Sequence, residues 1–267
     1  MNDAAFECEL QDDVAIVRLT KNAMRIAIDL GSRDKYLNML DELEDDPRVS
    51  GLIQINDEAF PGEAEISKMM KRFIEDTSFQ EVIAHRFRHS VSQIVSRCLY
   101  FQKPIVAGVA GPITMDEFGA YLMSDRLIVS DHFSVRNLKI HMGLPPGPLL
   151  TFLLPRILGP RKALKLLTED ETINAPEALD MGLVDKIVPE AQFEQECRAE
   201  MQRLVRLPSP VVSATRELIF SQFDKFEEHL DRSIRQKMQI IQSARRRLRW
   251  SYIVGQFGSA VKVYSGV

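Results

Sequence analysis

Short apolar runs recur through the first half of the chain: Val14-Ala15-Ile16-Val17-Arg18-Leu19, Gly51-Leu52-Ile53-Gln54-Ile55, Ile105-Val106-Ala107-Gly108-Val109 and Leu127-Ile128-Val129. Runs this short and this rich in β-branched residues predict strands covered on both faces. Between them Leu37, Leu40 and Leu43, and later Ile83, Phe87, Val91, Ile94 and Val95, return at three- and four-residue spacing, which aligns them on one helix face. Alternation of the two periods predicts an α/β layer structure with crossover connections. After Pro189 the strand signals stop. Residues 193–207, 210–220 and 225–241 predict helices, with Leu207-Pro208-Ser209-Pro210 as a break between the first two. The expected organisation is an α/β core over 1–189 and a helical region over 190–267, without internal repeats.

The 267 residues are 45% hydrophobic and 27% charged, a balance that excludes disordered, collagen-like and disulfide-scaffold classes. The longest apolar stretches, around Ile105 to Ile113 and Leu149 to Leu158, are broken by Gly or Pro. They fall short of the roughly 20 residues of a membrane helix, so no membrane span is expected. The acidic start, Met1 to Glu7, has the wrong sign for a leader, and a cytoplasmic location is the expectation. Cys8, Cys98 and Cys197 are odd in number and far apart. They predict buried free thiols rather than a disulfide framework or a metal site. Net charge is −4, but the last 36 residues hold eight basic side chains and no acid, leaving 26 basic against 38 acidic residues upstream. Such a tail either packs on an acidic body or meets phosphates or an acidic partner protein. Nothing in the composition points to nucleic acid.

The strand ending in Gly108-Val109-Ala110-Gly111-Pro112 leads into Thr114-Met115-Asp116-Glu117, and Phe118, Tyr121 and Leu122 follow at helical spacing. Thr114 and Glu117 form a capping box, which predicts a helix start whose outward amides suit a carbonyl oxygen or oxyanion. Farther on come Gly143-Leu144-Pro145-Pro146-Gly147, then Leu158-Gly159-Pro160-Arg161-Lys162-Ala163-Leu164, then Ala175-Pro176-Glu177-Ala178 and Gly182-Leu183-Val184 before Pro189. This stretch resembles the enoyl-CoA hydratase/isomerase (crotonase) superfamily. Lys103-Pro104-Ile105-Val106-Ala107 and Asp125 fit the same pattern, and Ala59-Phe60-Pro61-Gly62-Glu63-Ala64 looks like the family's first oxyanion-loop motif.

The resemblance implies a spiral of ββα units with a helical C-terminal region, whose site grips an acyl thioester of coenzyme A and needs no tightly bound cofactor. Carried over by position, the two backbone N–H groups that hold the thioester oxygen belong to Ala64 and Asp116, beside Phe60. The usual glycine run is replaced by Met115-Asp116-Glu117, and the two hydratase glutamates fall on Gly119 and Lys139. Neither residue can exchange a proton with water as a carboxylate does, so ordinary hydration is not expected. Isomerisation or decarboxylation, as in a lyase, needs only an enolate-stabilising hole and one acid. Asp116 shares the face of Gly119 and Glu117 does not. His141 and Lys139, with Arg136 nearby, offer an acid and a cation at the second glutamate position, or else an outward polar edge. His85, Arg86, Arg88 and His89 read as a solvated helix face, and the two histidines lack the third ligand of a metal site. At Leu19-Thr20-Lys21-Asn22-Ala23-Met24 the family's preceding Arg-Pro loop is shortened, so an acyl carrier protein stands beside free acyl-CoA as partner. Phe60, Arg245, Arg246 and Arg247 are candidates for holding coenzyme A, the arginines at its phosphates or at the carrier. The family also implies a homotrimer or hexamer whose C-terminal helices cover a neighbour's site. The alternative from another class is a non-catalytic scaffold or regulatory subunit of the same fold.

Overall fold

A computed structural model describes residues 5–20, 26, 29–56, 77–137, 140, 145–169, 171–223 and 225–246, with backbone alone for 77–85, 222 and 241–246. The main sheet has six strands in the order β1-β2-β3-β4-β6-β9. They are β1 (Phe6–Gln11), β2 (Val14–Leu19), β3 (Gly51–Asn56), β4 (Ile105–Val109), β6 (Arg126–Ser130) and β9 (Lys186–Val188). The β1–β2 pair is antiparallel and all the others are parallel. A side sheet of three strands runs β5 (Pro112–Thr114), β7 (Ser134–Arg136), β8 (Thr172–Asn174).

The central strands are buried on both faces, as their unbroken apolar sequences require. Ile16, Ile53, Ile55, Val106 and Ile128 point to one side. There α7 (Phe193–Leu204) covers them with Phe193, Cys197, Met201 and Leu204. That helix sits so close that a Cβ at Gly108 would lie 2.9 Å from both Cys197 Sγ and the Phe193 ring. Val17, Leu19, Leu52, Ala107, Val109 and Val129 point the other way into the larger core. This face is covered by α1 (Leu30–Asp45), α2 (Thr77–Leu99) and α3 (Met115–Tyr121).

The same core takes in α4 (Pro148–Leu158), α5 (Pro160–Thr168), α6 (Ala175–Asp180) and α9 (Phe226–Arg246), and α8 (Ser209–Phe220) packs against it through Phe220. Gly159, at φ +77°, turns the chain sharply from α4 to α5 in a region that favours glycine. Lys103 donates from Nζ to the carbonyls of Leu43 and Asp46, 2.7 Å each, and so caps the C-terminal end of α1. The Lys103-Pro104 motif is therefore a clamp between α1 and β4.

Two sequence expectations are corrected by the structure. Cys98 and Cys197 are buried, but Cys8 is exposed, because β1 is an edge strand whose middle residues face outward. The last helix runs on past Ile241 to Arg246. Within its own chain this helix packs on α2 and α4. Phe226 and Leu230 are buried, and the Phe152 ring meets Phe223 and Phe226 at 5.2 Å each. Arg88 of α2 pairs with Asp231, and Arg232, the first cation of the basic tail, pairs with Glu228 at 3.1 Å within its own chain.

Candidate functional site

The capping box is present as the sequence predicts. Glu117 N–H donates to Thr114 Oγ1 at 3.3 Å, while Glu117 Oε2 accepts from Thr114 N at 3.0 Å and from Thr114 Oγ1 at 2.8 Å. Burial raises the Glu117 pKa above the ordinary carboxylate value, against the pull of those bonds. The carboxylate is thus occupied as a cap, and the helix it starts is pinned at its first turn. First-turn amides of a helix have no acceptor within it and project along its axis.

That turn forms part of the wall of a cavity of about 90 Å³. Asp116, Glu117 and Ala120 come from α3, Gly147, Pro148, Leu149 and Leu150 from the start of α4, and Val91, Val95 and Cys98 from α2. Tyr36 of α1 and Gln54 of β3 complete the wall together with Leu19. The lining is almost entirely apolar. Glu117, which helical spacing places off the Gly119 face, borders this cavity as well as Asp116. Its carboxylate folds back over the short helix onto Thr114.

Gly119 itself does not face open space. A Cβ there would lie 3.2 Å from Leu149 Cβ and 3.4 Å from two Leu150 carbons. The position where the family resemblance expects a glutamate is packed against α4, and a carboxylate there would have to displace two leucines. Gly147 is closed in the same way by Asp116, whose Oδ1 lies 2.3 Å from where a Cβ would be.

Of the residues singled out in the sequence, Asp116 is placed at the cavity. Phe60, Ala64, Lys139, His141 and Arg247 lie outside the described residues, and Arg245 and Arg246 are described only as helix backbone. Arg136 lies on β7, opposite Thr172 of β8 and Thr114 of β5. Arg86 and His89 are exposed on α2, in keeping with a solvated face, while the His85 side chain lies outside the described residues. Among the described residues no cluster of His, Cys, Asp and Glu could hold a metal ion.

Sequence reasoning missed Tyr36, Gln54 and Cys98 in the cavity wall. It also missed His229, which reaches from α9 to Thr151 on α4, with Nε2 2.8 Å from Oγ1 and its ring 5.3 Å from that of Phe152. Burial, then Arg156 and Arg232, hold the His229 pKa below that of a free imidazole. The unfolded chain takes this proton at about pH 6.5, and the folded chain only at lower pH. The stability His229 contributes is therefore complete above that pH and is lost as pH falls below it. Thermal midpoints measured from about pH 8 to pH 5 should fall more steeply in the wild type than in His229→Gln.

Solved structures show the same architecture. The chain aligns over 96% of its length with all of the crystal structure of enoyl-CoA hydratase from Bacillus halodurans, with a TM-score of 0.77 and 18% identity. This likeness defines a crotonase-type α/β fold with a helical C-terminal region. Residues 9–249 match the family model described as enoyl-CoA hydratase/isomerase, and the chain belongs to that family. Among characterised relatives it is 28% identical over 207 residues to the hydroxycinnamoyl-CoA hydratase-lyase of Pseudomonas fluorescens, covering 76% of this chain and 73% of that one. It is 23% identical over 209 residues to 4-chlorobenzoyl coenzyme A dehalogenase-2 of an Arthrobacter species, covering 78% and 75%. The two relatives are named for different reactions, so membership leaves the choice of reaction to the site.

Proposed function

We propose that the protein is an acyl-thioester enzyme that polarises the thioester carbonyl between the backbone N–H groups of Ala64 and Asp116 and proceeds through an enolate, as an isomerase or a decarboxylase-type lyase. The observation that carries this reading is the capped first turn of α3 set in the wall of an apolar cavity. A fixed amide beside a water-poor pocket stabilises a developing oxyanion more strongly than one in water. The packing of Leu149 and Leu150 over Gly119 argues against hydration, because it leaves no room for the first of two glutamates. With Glu117 engaged as a cap, Asp116 contributes its amide, and Lys139 and His141 are left to supply charge and a proton. Arg245, Arg246 and Arg247 then hold the phosphates of coenzyme A or an acidic carrier protein. The chain would assemble as a homotrimer or hexamer.

The test has two readouts. Millimolar acetyl-CoA and crotonyl-CoA should raise the thermal midpoint, since a ligand of the native state stabilises it. In D2O the enzyme should exchange α- or γ-protons of the acyl group, while crotonyl-CoA remains unhydrated. Hydration would overturn the absence of hydratase chemistry. Binding without exchange would favour the non-catalytic scaffold, and no stabilisation would remove thioester binding altogether.

A further inference from the structure

β3 runs Gly51-Leu52-Ile53-Gln54-Ile55-Asn56 through the middle of the sheet, with β2 on one side and β4 on the other. Gln54 stands between Val17 and Ala107, on the face that Leu52 shares and that the larger core covers. Its neighbours on the strand are buried, but Gln54 is half-buried. The space that its accessible part meets is the partly open cavity it lines.

One end of the amide is fixed. Tyr36, buried on α1, donates its hydroxyl to Gln54 Oε1 at 2.7 Å, and the Cys98 thiol lies beside the same hydroxyl. Burial pushes this thiol up to about 11, so it stays protonated beside the tyrosine. The tyrosine's donation fixes the amide oxygen and leaves the glutamine N–H groups as its outer end. Among the described residues Gln54 Nε2 has no acceptor. Oriented by a buried partner, the amide offers these N–H groups to whatever enters an otherwise apolar space.

We infer that Tyr36 and Gln54 form a specificity element for a short acyl group bearing a keto or hydroxyl oxygen at its far end, with Gln54 Nε2 donating to that oxygen. The inference rests on the acyl-thioester reading of the cavity. The size of the space limits the group. At about 90 Å³ the cavity is well below the ~150 Å³ that accepts benzene, which favours an aliphatic chain over an aromatic ring. The aliphatic lining from Leu19, Val91 and Val95 suits its methylenes, and the amide reads its end.

The experiment compares Kd values of matched thioesters with the intact protein: pentanoyl-CoA against 4-oxopentanoyl-CoA, and hexanoyl-CoA against 5-oxohexanoyl-CoA. At least one keto thioester should bind about tenfold more tightly than its parent, the worth of one hydrogen bond to an otherwise unsatisfied donor. Gln54→Met should bring the keto-to-parent ratio to near one, and Tyr36→Phe should reduce it by releasing the amide. Ratios near one for both pairs in the wild type, or a preference that survives Gln54→Met, would overturn the inference. If all four thioesters fail to bind, the acyl-thioester reading falls and takes this one with it. That result is distinct from equal binding, which removes the specificity element alone.

Discussion

Arg216→Ala should destabilise the protein by about 3–5 kcal/mol, the cost of leaving a buried carboxylate without its cation. Arg216 is 5% exposed, and its guanidinium serves three partners. Nε donates to the Phe101 carbonyl at 3.0 Å, Nη2 to the Cys98 carbonyl at 3.1 Å, and Nη1 to the Asp125 carboxylate. Asp125 in turn accepts from Ile105 N at 2.7 Å, the first amide of β4. One side chain on α8 thus ties the end of α2 to the start of a central strand. Truncation strands two carbonyls and a carboxylate together, which is why the expected loss exceeds that of an exposed ion pair. Arg216→Lys keeps the charge but not the planar fork, and should fall between wild type and Ala. Midpoints of urea unfolding at unchanged slope would check both. Equal stability of the Lys variant and the wild type would show that charge alone matters. Cys98 borders the cavity, so loosening the end of α2 should also weaken thioester binding.

Legibility in the sequence followed the range of the interactions involved. β2, β3, β4 and β6 were visible as apolar runs because each is buried on both faces, and α7, α8 and α9 because their period and the Pro208 and Pro210 breaks are local. The side strands β5, β7 and β8 have three residues each, too few for a period. β1 reads as polar because it is an edge strand, and register with β2 creates it. Phe6 packs against Tyr36, with ring centroids 5.5 Å apart. The same division holds at the site. Thr114 and Glu117 are three residues apart, so their cap could be read directly. Tyr36, Gln54 and Cys98 come from a helix, a strand and another helix, and only the fold joins them. Gln54 carried one signal, a lone amide inside an apolar strand, which passes for a tolerated polar residue until the cavity beside it is seen. The blocked face of Gly119 was equally hidden, since Leu149 and Leu150 arrive from a distant segment.

Gly147→Ala should be damaging out of proportion to the single methyl it adds. The backbone of Gly147, at φ −63° and ψ 155°, is open to any residue, so the need for glycine lies in space rather than conformation. The added Cβ would fall 2.3 Å from Asp116 Oδ1 and 3.5 Å from Asp116 Cγ. Either α4 retreats from α3 or the carboxylate swings away, and the nearest space open to it is the cavity that both residues line. The expected cost is about 1–3 kcal/mol from overpacking, with a loss of thioester affinity of about tenfold or more as charge enters the apolar pocket. Asp116→Gly tests the cause, because glycine keeps the amide and deletes the carboxylate. Alone it should retain thioester turnover within about threefold, apart from the small penalty of glycine in a helix. A fall of about a hundredfold would instead assign proton transfer to the Asp116 carboxylate. Combined with Gly147→Ala, it should restore most of the lost stability and affinity, giving a coupling well outside the ~0.5 kcal/mol expected of independent sites. Simple additivity would place the damage in the α3–α4 contact itself and would remove Asp116 as the group that Gly147 accommodates.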